Sequence, residues 1–114
     1  MRLLFTALAA MCLSVPASAQ EADGDELQRQ TRELGLSVGN AHVCMADGER
    51  AAFEADWKLI YDMILMDAGS NLAFVFATSS GYGASLPMDR LDCDALAESW
   101  AATRADFGLD GEDE

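Results

Sequence analysis

Between Asp67 and Asp89 the chain runs for 21 residues, AGSNLAFVFATSSGYGASLPM, without a charged side chain. In a protein of 114 residues and formal net charge -13, such an interval either enters the core or binds something. Only Leu72 to Ala77 is continuously apolar, and six residues are too few for periodicity to separate a buried helix from a strand. No other segment reads as a partner strand, and a lone strand would leave its backbone groups unpaired. The preferred reading is a buried helix from about Asn71 to Ser80, with a strand as the alternative. Gly81-Tyr82-Gly83 then opens an uncharged loop that reaches Pro87.

The first residues set the compartment. Met1 and Arg2 precede an apolar run from Leu3 to Val15, then Pro16 and Ala17-Ser18-Ala19, which is the pattern of a secretory leader cut after Ala19. The run is shorter than the roughly 20 apolar residues of a spanning helix, so no transmembrane segment is expected after cleavage. Cys12 is followed by Leu13-Ser14-Val15, a poor setting for a lipidated cysteine. The expected location is periplasmic or secreted. The expected divisions are a leader at 1–19, an acidic segment at 20–26 that frays, a helical domain at 27–108 and an acidic, mobile tail at 109–114. A balance this acidic repels nucleic acid and anionic membrane surfaces, leaving protein partners, basic ones included, or cations.

Removal of the leader leaves Cys44 and Cys93, and an even pair in an exported chain reads as one disulfide. Closing a loop of about 50 residues contributes roughly 4 kcal/mol in the chain-entropy account. The uncharged interval lies wholly inside that loop.

Leu27, Thr31, Leu34, Val38, Ala41 and Met45 recur at helical spacing, which predicts a helix from about Asp25 to Ala46. Gly35 and Gly39 weaken it, and a break near Gly35 is one outcome. Lying four apart on one face, they also permit another helix to approach closely. Asp47-Gly48-Glu49 is a turn, with Asp47 as the expected N-cap of a second helix that ends at Gly69. Its stripe is Phe53, Trp57, Ile60, Ile64 and Ala68, with Leu59, Met63 and Met66 as a second apolar strip, so this helix is expected to be central. Glu54 and Lys58 suit an i,i+4 pair. Leu91, Leu96, Trp100, Thr103 and Phe107 mark a last helix beginning at Asp89 or Asp92. The fold class is therefore all-α, a small bundle of about four helices clamped by Cys44 and Cys93.

Candidate chemistry is sparse. His42, the only histidine, could join Met45, Met63 and Met66 in a Cu(I) site, because imidazole and thioether are soft ligands. Methionines at helical spacing more commonly fill core gaps, and a disulfide withdraws Cys44. No nucleophile motif surrounds Ser79, Ser80 or Ser85, so the chain is read as non-enzymatic and without a cofactor. The acidic turns do not continue into a calcium loop. Among the aromatics, Trp57, Phe74 and Trp100 are expected in the core. Tyr82 is expected on an exposed loop as a contact residue, with Gly81, Gly83 and Phe76 beside it.

Size, export and the Cys44 and Cys93 pair resemble, in outline, the small periplasmic acid-stress chaperones of the HdeA type. That resemblance implies a helical fold and exposure of apolar surface at low pH. The expectations are thus a small exported binding protein with a protein partner, an acid-stress chaperone, or a Cu(I)-binding protein.

Overall fold

The computed structural model describes the backbone of residues 17–110 and the side chains of residues 24–110. The expected leader falls mainly on residues 1–16, outside the described residues. Four helices follow in order: α1 (Ala17–Cys44), α2 (Arg50–Ala68), α3 (Ser70–Gly83) and α4 (Cys93–Asp106), with short 3-10 turns at Asp47–Glu49 and Met88–Arg90. The fold is all-α, with no strand among the described residues, and Cys44 and Cys93 form the disulfide with Cα atoms 5.6 Å apart. The bond ties the last residue of α1 to the first of α4.

Residues 71–80 are helical, which answers the choice between helix and strand. Several boundaries differ from the sequence expectation. Gln20 to Glu26, read as a frayed start, continues α1, where Arg29 bridges Glu26 and Glu33 one turn to either side. There is no break at Gly35. Asp47 does not cap α2: Ala46 occupies the cap of the 3-10 turn and its N–H donates to the Glu49 carboxylate at 3.2 Å. Gly69 does end α2, at φ 99°, a backbone state that a residue with a Cβ rarely adopts. The Asp92 carboxylate caps α4 by accepting the Ala95 N–H at 3.2 Å. Leu109, expected in a mobile tail, packs against the core, and its carbonyl accepts from the Arg104 guanidinium at 2.7 Å.

The largest correction concerns which helix is central. α1 packs against both α3 and α4, and its approach to α3 is the most extensive in the fold. The cause lies in small residues on both sides. A Cβ on Gly35 would stand 2.6 Å from the Ser79 Cβ, and one on Gly39 would overlap the Ser80 carbonyl. A Cβ on Gly83 would stand 2.5 Å from the Leu36 carbonyl. α3 turns Ala73, Phe76, Ser80 and Gly83 toward this contact, a helical stripe at steps of 3, 4 and 3. That contact also explains why Gly81-Tyr82-Gly83 is the last turn of α3 and not a loop: Gly83 is needed inside the helix pair.

α2 lies across the bundle and reaches the core through side chains. Phe53 and Ile60 are buried, and the Phe53 ring lies 4.4 Å from Trp100 of α4. Trp57 stacks on Phe76 of α3 at 5.5 Å and donates its Nε1–H to Ser80 Oγ at 3.1 Å. Phe74, expected in the core, is 68% exposed because it lies on the face of α3 directed away from α1. No helix among the described residues is long and apolar enough to cross a membrane.

Candidate functional site

The residues singled out in the sequence do not assemble into a site. Phe76 is fully buried in the core and Gly83 is packed against α1, whereas Gly81 faces open space and Tyr82 is 64% exposed. Only Gly81 and Tyr82 thus remain on the surface, on a helix and not on a loop. The proposed metal ligands also separate. His42 Nε2 faces Glu54 at 3.9 Å, its ring lies 5.2 Å from Phe53, and Met45 packs against the core. Met63 lies ten residues beyond Phe53 on α2, about 15 Å along the helix, and Met66 is 84% exposed. Glu54, expected to pair with Lys58, therefore faces α1 instead. Among the described residues no group of three or more His, Cys, Asp or Glu side chains is placed to hold a metal ion.

The concave surface lies elsewhere, along the side where α2 and α4 face each other. These two helices are spanned by side chains rather than by close backbone. Arg104 Nε donates to Asp56 Oδ2 at 2.8 Å, and Phe53 meets Trp100 beside that pair. Two hollows result. Toward the disulfide, a hollow of about 520 Å³ is bounded by Met45, Phe53, Ala97, Trp100 and Ala101. Its charged groups are engaged: Asp56 holds Arg104, and Glu49 accepts the Ala46 N–H.

At the opposite end a groove of about 510 Å³ is formed by Leu27 and Leu34 of α1, Met63 and Ile64 of α2, Leu72 of α3 and Phe107 just after α4. Its lining is mainly apolar, and Leu34, Ile64 and Phe107 form a base packed on the core. The size lies within the roughly 300–1,000 Å³ of ordinary binding pockets. Asp67 and Asp106 also line the groove, and neither belongs to an ion pair among the described residues. Among the described residues no basic side chain lines it. Just above the groove, Arg29 holds the Glu26 carboxyl below its ordinary range through a hydrogen bond, and Glu26 in turn raises the Arg29 guanidinium.

This groove was not identified from the sequence because its walls come from four helices. Two partial signals were present: the strip Leu59, Met63 and Met66 beside the main stripe of α2, and the start of the uncharged interval at Ala68 and Leu72. Tyr82 lies ten residues beyond Leu72 on α3, so the groove and the expected contact loop occupy opposite ends of that helix.

Comparison with protein-family models, with curated proteins and with solved structures finds no match to this chain.

Proposed function

We propose that this chain is a small exported binding protein that holds a protein partner in the apolar groove at the Leu27 end of the bundle and carries out no chemistry of its own. The observation behind this reading is the groove itself: a hollow of about 510 Å³, lined mainly by apolar side chains and open to solvent. Apolar surface kept exposed in an acidic, soluble-looking composition has an energetic cost of about 25 cal/mol per Å², which a partner recovers. Periplasmic or secreted location is part of the proposal, supported by the leader-like first 19 residues and by a disulfide that persists in oxidising compartments.

The test uses an uncharged, environment-sensitive apolar dye with the folded chain at pH 7. Dye fluorescence is expected to rise, and to fall back in Leu27→Lys and Met63→Lys, each of which places an ammonium in the groove. Absence of dye uptake, or uptake indifferent to both substitutions, overturns the reading.

A second reading, acid-triggered chaperone action, draws on the Arg104–Asp56 pair that spans α2 and α4 with 31% and 21% of the side chains exposed. At pH 2 carboxylates are protonated and the chain carries only positive charge, so self-repulsion acts on helices whose bridging pair is lost. Dye uptake should then climb steeply from pH 7 to pH 2 with the disulfide intact. A protein that stays monomeric and binds no additional dye at pH 2 removes this reading.

A further inference from the structure

Resting on the binding reading above, we infer that the groove is built for one kind of partner, an amphipathic helix whose apolar face is flanked by lysine or arginine. Leu27 and Leu34 lie seven residues apart on α1, about 10 Å along the axis, and Met63, Ile64, Asp67 and Ala68 line the groove over a shorter stretch of α2, about 7.5 Å or one and a half turns. A trough of that length matches the i, i+3 or i+4, and i+7 anchors by which a helix lies in an apolar groove.

Charge then selects the partner. Among the described residues, Asp67 and Asp106 line the groove without an ion-pair partner and no lining residue is basic. Two helix C-termini also end here, α2 at Ala68 and α4 at Asp106, and each brings the negative end of its dipole. α3 begins at Ser70 and its positive end offsets one of them. α2 has no basic residue in its last turn, and Arg104 of α4 is committed to Asp56 and to the Leu109 carbonyl. The mouth is therefore apolar within and negative at its edge, a match for a cationic amphipathic helix.

Other occupants fit poorly. A second copy of this chain brings a net charge of -13 to a negative edge, and the C-terminal residues Gly111-Glu112-Asp113-Glu114 are acidic as well. Fatty acids and other anionic amphiphiles meet the same repulsion.

Two designed peptides test the inference, one an amphipathic helix of leucine and lysine, the other identical except that glutamate replaces every lysine. Affinity for the full chain is measured by fluorescence anisotropy at physiological ionic strength, with displacement of the uncharged dye as a second readout. The lysine peptide is expected to bind at least about tenfold more tightly than the glutamate peptide and to displace the dye. The double variant Asp67→Asn, Asp106→Asn should reduce that preference to about threefold or less while dye uptake persists, since the two exposed pairs it removes are together worth a few-fold in affinity. Both carboxylates lie at helix C-termini, where their removal does not weaken the fold. Equal binding of the two peptides, no displacement of a dye that does bind, or a lysine preference untouched by the double variant overturns the inference while leaving the binding reading in place. A dimer that closes the groove to dye assigns it to a second copy and overturns it too. If the dye itself finds no groove, both readings fall together.

Discussion

The contact between α1 and α3 and the seam between α2 and α4 are opposite solutions to the same problem. In the first, backbones meet through Gly35, Gly39 and Gly83, against the small side chains of Ser79 and Ser80. In the second, the backbones stand apart and are joined by Phe53 on Trp100 and by Asp56 with Arg104, with a hollow at each end. The lesson is that room for a ligand appears where helices are spaced by large side chains, and disappears where glycine lets them touch. Close packing leaves no voids at a backbone contact, whereas a seam spanned by a few long side chains cannot fill its own ends.

The disulfide offers the largest test of that contrast, since it joins the tightly held helix to the loosely held one. Replacing both Cys44 and Cys93 by Ser is expected to cost about 4 kcal/mol, read from urea unfolding. The amide-exchange rates of α4 should rise before those of α1 and α3; uniform acceleration across all four helices would mean that the two regions are not separate in stability.

Gly39→Ala tests the tight side. Its Cβ would meet the Ser80 carbonyl, so the two backbones must move apart, at a cost of about 3 kcal/mol or more. Gly81→Ala, on the same helix as Gly83 but facing open space, should stabilise by about 0.5–1 kcal/mol instead. Similar effects from both substitutions, measured by denaturant midpoint, would contradict the close-approach account.

On the loose side, Asp56→Ala should cost about 1 kcal/mol, because the pair with Arg104 is only partly shielded from solvent. A cycle with Arg104→Met isolates the coupling. Dye uptake at pH 7 should increase in Asp56→Ala as the seam loosens; unchanged uptake would show that the pair does not govern access.

The smallest expected effect is on the exposed part of α1. The Glu26 carboxyl is lowered, chiefly by its hydrogen bond from Arg29. Its stabilising effect is therefore fully present above the unfolded-state carboxylate pKa and is lost as pH falls through the lowered folded value. A carboxyl carbon titration by NMR should place Glu26 below the ordinary value of a glutamate in an unstructured peptide, and the helix signal near Glu26 should fall in that window without a change in global unfolding. An ordinary titration midpoint for Glu26 would show that Arg29 does not hold it in solution.

Much of the fold was legible in the residues. The 3.6-residue spacing of Leu27, Leu34, Val38 and Ala41 placed α1, Gly69 ended α2, and the absence of any partner strand made Leu72 to Ala77 a helix. The two cysteines left after the expected leader named their own partner. The pair Gly35 and Gly39 even pointed to a close helix approach, because a missing Cβ on one face is a local property. Its destination was not legible: that α3 would supply Ser79, Ser80 and Gly83, and so continue as a helix through Tyr82, depends on which helix arrives.

The same division separates the core from the site. Burial of Phe53, Ile60 and Trp100 follows from apolar residues at helical spacing, which each segment carries by itself, whereas Phe76, read as a neighbour of the contact residue Tyr82, is buried because α1 and α2 cover it. Exposure of Phe74 and Met66 does not follow from spacing either, since an apolar residue stays outside only when no neighbouring helix covers its face. The groove is further still from the sequence. Leu27, Met63, Leu72 and Phe107 share no segment and no motif, and Asp67 and Asp106 are two acids among twenty. Sequence alone determined helix content and the crosslink, because these depend on local period, composition and the chemistry of two thiols. Tertiary structure alone decided which helix is central and where the surface stays concave, because both depend on how far apart four backbones come to rest.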